Sequence, residues 1–327
     1  MPRLRSLLIV LIVIVVLLGG GVVFQLVRSV PALSFTSTAA SQVTVPGAPP
    51  TLPWPAMGEA TVGVQGLGVL GSSGGDKPIP IASLTKLMTA YVVLADHALP
   101  TGQTGPPITM TDADVQAYVV GASQNQSIVR VVAGEQLSEL QALEATLVGS
   151  ANNMATALAV WDAGSTTAFL AKMNAAATAL GMHATHYADV TGLDPGSVSN
   201  ASDQVALATR LMANPVFAAM VGEAQVQLPV AGIVYNYDYL VGHNGIVGIK
   251  TGSTTEAGGC FVFAARRAIA GHDMVVTGAG LGQHGPSILQ AALTASQRLI
   301  DAAAGSVAPV TVGVPGSHVG TVKVPWG

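Results

Sequence analysis

Three short strings in a fixed order constrain this chain more than any bulk property: Ser83-Leu84-Thr85-Lys86, Ser150-Ala151-Asn152 and Lys250-Thr251-Gly252. Only five lysines occur in 327 residues, and two of them, Lys86 and Lys250, fall inside these strings. The intervening runs are long enough to be whole subdomains, so a fold that uses the strings together must gather distant segments at one cleft. In the first string a hydroxyl and an amine stand three residues apart, which on a helix sets their Cβ atoms about 5–6 Å apart on one face. A serine is a poor nucleophile until a base takes its proton, and a lysine serves as that base only if its pKa falls from ~10.4 towards neutrality. A fall of about three units requires ~4 kcal/mol of desolvation and like-charge repulsion. Lys250 is the candidate second cation. The strings read as a serine acyl-transfer site, with the lysine base as one scheme among several, because the base of acylation is disputed in serine enzymes with this motif.

Half the residues are hydrophobic, only 9% are charged, and the net charge is -4, a composition without the basic footprint of a nucleic-acid binder. Arg3 and Arg5 precede an apolar run from Leu7 to about Val27, interrupted mainly by Gly19-Gly20-Gly21 and Gln25. At 1.5 Å per residue such a helix spans ~30 Å, the thickness of a bilayer core. Its length favours a retained membrane anchor over residues 1–28 rather than a cleaved signal peptide, although the run to Leu18 alone would fit a signal. The leading arginines place the N-terminus in the cytoplasm. The expectation is a single-pass protein of the cell membrane with its bulk outside, or a secreted one if the segment is cleaved. Cys260 is the only cysteine, so no intrachain disulfide forms; Gly258 to Phe263 reads as a strand and Cys260 as a small buried hydrophobe.

Residues 29–57, rich in Ser, Thr, Ala and Pro, are expected to form a linker. Residues 58–305 are the length of one two-lobed domain. Alternation at Ala60, Val62 and Val64, then Leu67 and Val69, predicts two strands joined near Gly66 and followed by a turn over 71–76. Ala82 to Ala95 predicts a helix with Ser83 in its first turn, where unpaired N–H groups favour developing negative charge. The stretch of about 111–221 is mainly helical, with Leu137 to Trp161 the strongest helical run and Ser150-Ala151-Asn152 interrupting it. Strands return at Ile246 to Lys250, Gly259 to Arg266 and Met274 to Ala279, and a helix over about 287–304 closes the domain. A sheet built from both ends of the domain, with helices between, makes the fold α/β of the α+β kind. Residues 306–327 form a short β-like tail.

The segments Pro80 to Ala90, Ser150-Ala151-Asn152-Asn153, Gly192-Leu193-Asp194 and Gly248 to Gly252 resemble those of the D-alanyl-D-alanine carboxypeptidase family, the low-molecular-mass penicillin-binding proteins. The resemblance runs from about Met57 to Ala304. Two departures stand out: Asn153 where that family usually has Asp, and Ala188-Asp189 in place of an Asn-containing approach to Gly192. What the resemblance implies is a β-lactamase/transpeptidase-like fold, a mainly antiparallel sheet flanked by helices with the site between it and a helical lobe. It further implies a penicillin-sensitive serine carboxypeptidase acting on peptidoglycan stem peptides that end in D-Ala-D-Ala, without metal or cofactor, with β-lactam antibiotics as inhibitors. On that resemblance Ser83 attacks, Lys86 abstracts its proton, Ser150 relays a proton to the leaving D-alanine and Asn152 holds the substrate amide. Lys250 and Thr251 suit the terminal carboxylate, Gly252 lets backbone approach substrate, and the N–H groups of Ser83 and Ser253 form the oxyanion hole.

Alternatives remain open from the sequence. His183 and His186 with Asp189 and Asp194 lack the spacing of the H-E-x-x-H metal motif. A β-lactamase of class A resolves its acyl-enzyme with a glutamate, and none occurs between Glu144 and Glu223, although Asp162, Asp189 and Asp194 do. Endopeptidase, transpeptidase and non-catalytic wall-binding readings use the same strings.

Overall fold

The structure, a computed structural model, describes residues 2–29, 32–37, 50–310 and 316–324. Much of the expected linker, residues 30–31 and 38–49, lies outside the described residues, as do 311–315 and 325–327 of the expected tail. Two compact units are present, Met1–Gly47 with Val310–Gly327, and Ala48–Pro309. In the first, helix α1 (Pro2–Val27) contains a stretch, Arg5–Val27, of mean hydropathy 3.3, long and apolar enough to cross a membrane or to serve as a signal sequence. Its apolar side chains from Leu7 to Val27 are exposed. In the same unit Ser34–Ser37 pairs antiparallel with Gly320–Lys323.

The second unit is built on a five-stranded, wholly antiparallel sheet. Its strands are β1 (Glu59–Val64), β2 (Gly68–Ser73), then β5 (Ile246–Thr254), β6 (Gly258–Ile269) and β7 (His272–Gln283), in the spatial order β5-β6-β7-β1-β2. Between them in sequence a separate hairpin joins β3 (Gln225–Leu228) to β4 (Gly232–Tyr235). The expected strands are all present, but β2 continues to Ser73, into residues read as a turn, and β5 to β7 run several residues further than their apolar cores. Cross-strand pairing explains the extension: Ser72 and Ser73 pair with Thr61 and Ala60, so polar residues are carried by the ladder.

Alternation along β6 divides the core into two layers. Phe261, Phe263 and Ala265 pack with Leu293, Leu299 and Ile300 of helix α9 (Ile288–Ser306), whereas Cys260, Val262 and Ala264 turn to the other face. On that face α7 (Ala201–Met212) and α8 (Pro215–Val221) pack against the sheet, and α2 (Thr85–Asp96), α4 (Glu139–Leu147), α5 (Asn152–Ala163) and α6 (Thr166–Ala179) share the same core through contacts with one another and with α7 and α8, with α3 (Asp112–Ser123) against α5. Cys260 is fully buried, and burial pushes its thiol up to about 12, so it is an apolar filler and a poor nucleophile at neutral pH. Helices start where capping residues permit: Ser138 and Thr111 each cap an N-terminus in a reciprocal box with the residue three further on, Gln141 and Asp114. Replacing Phe263, which is fully buried, with alanine is expected to destabilise the unit by about 3–5 kcal/mol, read as a lowered denaturant midpoint of the full chain in detergent.

Candidate active site

Ser83 stands in a single 3-10 turn, Ala82–Leu84, that runs directly into α2, rather than in the first turn of the α-helix itself. The local cause is visible at Ala82, whose φ of 48° lies in the left-handed region that a residue with a side chain rarely enters. Opposite it is Gly192, itself at φ 84°; a Cβ there would come 1.8 Å from the Ala82 carbonyl oxygen, so only glycine admits this approach. Strained backbone held from outside is a recurrent feature of reactive sites.

Lys86, one turn on, is completely buried. Its Nζ lies 2.8 Å from Ser83 Oγ and donates to the Thr191 carbonyl, also at 2.8 Å. Burial first, and the nearby Lys250 cation second, hold its pKa well below the usual lysine range, with Asp189 opposing. An uncharged amine has two N–H groups and one lone pair. With one N–H fixed on Thr191, the lone pair is free to face Ser83 and accept its proton.

The carbonyl that fixes Lys86 belongs to a turn organised by Asp189, whose carboxylate accepts from the hydroxyls of Thr191 and Ser197 and from the N–H groups of Gly192 and Leu193 at 2.9 and 3.0 Å. Burial alone would raise its pKa, but these bonds outweigh burial and hold it below the ordinary carboxylate value. In the sequence Asp189 figures as a departure from the family pattern, beside two histidines that lack metal-motif spacing, and among the acids between Glu144 and Glu223. Its spacing of three before Gly192, the pattern of an Asx turn, carried the signal that was missed.

The Ser150 string breaks the helical run as expected, between α4 and α5, with Ser150 at φ 51°. Asn152 Nδ2 donates to Gln126 Oε1 at 2.9 Å, while its buried Oδ1 has no partner, an acceptor ready for a substrate N–H. Asn153 accepts from the Val129 N–H at 3.1 Å and donates to the Val129 carbonyl at 2.8 Å, a two-pronged bond that an ionised aspartate could not make. Ser150 is not hydrogen-bonded to Ser83, Lys86 or Lys250.

Lys250-Thr251-Gly252 lies on β5, an edge strand, paired with Val262, Phe261 and Cys260 of β6. The other side of β5 meets the Ser83 turn. A Cβ at Gly252 would stand 3.0 Å from Ser83 N and 3.1 Å from Ile81 O, so glycine here sets the contact between strand and turn. Thr251 is buried and Ser253 is exposed on the same strand. Lys250 Nζ donates to Thr251 O at 2.9 Å, and burial lowers its pKa to about 7 against the pull of Asp238. Asp238 is itself buried, pushed up to about 6 by burial despite a bond from the Leu240 N–H and the Lys250 charge; its Oδ2 has no hydrogen-bond partner. No motif announced Asp238, an acid set among tyrosines.

An antiparallel sheet, a helical lobe and a half-buried serine against a buried lysine define a class, that of the penicillin-binding-protein fold. Within it, the chain belongs to the D-alanyl-D-alanine carboxypeptidase family, whose profile matches residues 62–280. A D-alanyl-D-alanine endopeptidase of Pseudomonas aeruginosa is 35% identical over 215 residues, 63% of this chain and 66% of that protein. The D-alanyl-D-alanine carboxypeptidase DacB2 of Mycobacterium tuberculosis is 34% identical over 195 residues, 58% of this chain and 62% of that one. The chain thus covers just under two thirds of either relative's length. The solved Streptomyces K15 DD-transpeptidase superposes with a TM-score of 0.65 at 27% identity, over 80% of this chain and 99% of that one.

Asp189→Asn removes the charge that collects five donors and also one source of positive shift on Lys86. It is expected to slow acylation by a fluorescent penicillin about tenfold, the effect of losing ~1–1.5 kcal/mol of positioning, and to move the acid limb of the pH–rate profile to lower pH.

Proposed function

We propose that the chain is a penicillin-sensitive serine D-Ala-D-Ala carboxypeptidase whose catalytic unit, about residues 58–305, trims peptidoglycan stem peptides outside the cytoplasm, held by α1 as a membrane anchor. The observation that carries the chemistry is the 2.8 Å contact between Ser83 Oγ and the buried Lys86 amine. Lys86 takes the serine proton as Oγ attacks the carbonyl of the penultimate D-alanine. The N–H groups of Ser83 and Ser253 receive the oxyanion, and Asn152 Oδ1 accepts the donor's amide N–H. Ser150 passes a proton to the departing amine, while Lys250 and Thr251 hold the terminal carboxylate. Water then cleaves the ester and Ser83 regains its proton.

A β-lactamase would need a base poised for that last step, and the acids that kept this reading open are engaged elsewhere. Asp162 pairs with His97 at 3.2 Å and with Lys172, and Asp194 accepts from the Gly196 N–H at 2.8 Å. Asp189, which is closest in sequence to the Lys86 partner, has its lone pairs occupied and its pKa lowered, and so makes a poor base. Slow release of bound penicillin follows.

Ser83→Ala is expected to abolish both labelling by fluorescent penicillin and D-alanine release from diacetyl-Lys-D-Ala-D-Ala by the full chain in detergent; labelling that survives would overturn the assignment. Carboxylate binding requires Lys250 charged, so kcat/KM should fall as pH rises through its pKa of about 7. Asp238 raises that pKa. Asp238→Asn therefore lowers it and should move the alkaline limb of kcat/KM to lower pH, measured on the same peptide.

A further inference from the structure

Four acids among the described residues are buried as whole residues, and three of them are answered by backbone. Glu59 accepts the N–H of Ala201 at 3.2 Å, Glu135 accepts those of Val132 and Val230, both at 3.2 Å, and Asp238 accepts that of Leu240 at 3.1 Å. Glu139 is different. It is 1% exposed, yet neither carboxylate oxygen accepts a hydrogen bond and it forms no ion pair among the described residues. A carboxylate in this position has given up water and gained no partner, which is costly for its charged form.

Glu139 opens α4 and forms one wall of a cavity of about 580 Å³, whose other walls come from the loop 97–106. The loop is tied to the start of α4: Thr104 O accepts the N–H of Leu140 and Pro106 O that of Glu139, each at 2.9 Å. Gly105, at φ 73°, lies against the carboxylate itself, and a Cβ there would collide with Glu139 Oε2. The remaining walls are neutral, with Leu99, Pro100 and Pro106 among them, and His97 is the only other titratable group. His97 does not serve as the missing partner. Its Nε2 faces Asp162 at 3.2 Å and its ring stacks on Trp161 with centroids 4.1 Å apart, while Lys172 joins the same Asp162 to Asp96. Burial raises the Glu139 pKa and only the His97 charge opposes it, so the carboxylate lacks a cation that the fold has committed elsewhere.

We propose that this cavity is a binding site for a small organic cation, a primary ammonium on a short carbon stem, with Glu139 as its counter-charge. An ammonium brings three N–H donors to a carboxylate that has none, and Leu99, Pro100 and Pro106 suit the stem. A bare metal ion fits the site less well, because no group of three His, Cys, Asp or Glu side chains is placed to hold one among the described residues. Two sources carry the required group: a free amino acid such as D-alanine, and a diamine. The site is separate from the acyl-transfer centre. It shares no lining residue with the cavity at Asn152 and the Asp189–Thr191 turn, and α2 sets Lys86 and His97 about 16 Å apart.

The test is a titration of the full chain in neutral detergent with n-propylammonium, followed by ligand-observed NMR. The wild type is expected to bind it in the millimolar range, and Glu139→Gln at least about tenfold more weakly, as loss of one charge-assisted contact would give. Tetramethylammonium, which has the charge but no N–H, should also bind about tenfold more weakly than propylammonium. Ser83→Ala should bind as the wild type does. Hydrogen exchange across residues 99–105 of the wild type should slow when propylammonium binds, a readout that stands even if Glu139→Gln fails to fold. D-Alanine binding more tightly than propylammonium assigns the site to an amino acid, and 1,3-diaminopropane binding more tightly assigns it to a diamine. No propylammonium binding by the wild type, equal binding by folded Glu139→Gln, unchanged exchange across 99–105, or loss of binding in Ser83→Ala overturns the proposal.

Discussion

Everything at this site depends on keeping one lysine dry. Lys86 is fully buried between the Ser83 turn and the Asp189–Leu193 turn, and the cationic Lys250 is close enough to act on it. Two buried ammonium groups facing one another are expensive to charge together, which favours an uncharged Lys86. Its amine is then oriented from outside, by the Thr191 carbonyl, and not by anything on its own helix. The positive φ at Ala82, the bare Cα of Gly192 against it and the Asp189 hub are consequences of bringing that carbonyl to the amine.

The sheet supplies the second half. Because β5 is an edge strand, one row of its backbone groups is left open towards the Ser83 turn, and Gly252 lets the two backbones touch. The same strand buries Lys250, whose charge at neutral pH is balanced on Asp238. Thus burial lowers both buried lysines and an acid opposes it at each, Asp189 at Lys86 and Asp238 at Lys250, but only Lys86 is lowered further by the charge of the other lysine.

Much of this was legible in the sequence because the informative residues carry local patterns. Alternation marked β1 and β2, the three- and four-residue spacing of Leu84, Leu87 and Met88 marked α2, and the polar Ser150 string marked the break between α4 and α5. What the sequence concealed depends on long-range contact. The turn at Ser83 is packed against Gly192, more than a hundred residues away, and the strand character of Ser72 and Ser73 comes from pairing with β1. The β3–β4 hairpin, with only four residues per strand, fell below any periodic signal although Val226 and Leu228 alternate with glutamines. Asp238 could be recognised only once its burial beside Lys250 was seen.

The most direct test of the account is the rate of penicillin acylation at Ser83 as a function of pH, with the adduct mapped to the peptide that contains Ser83. The expected result is an acid limb set by a lysine whose pKa lies well below the ordinary ~10.4, and its loss in Lys86→Ala. An acylation rate that climbs only as pH approaches 10, or an adduct on another residue, would contradict it.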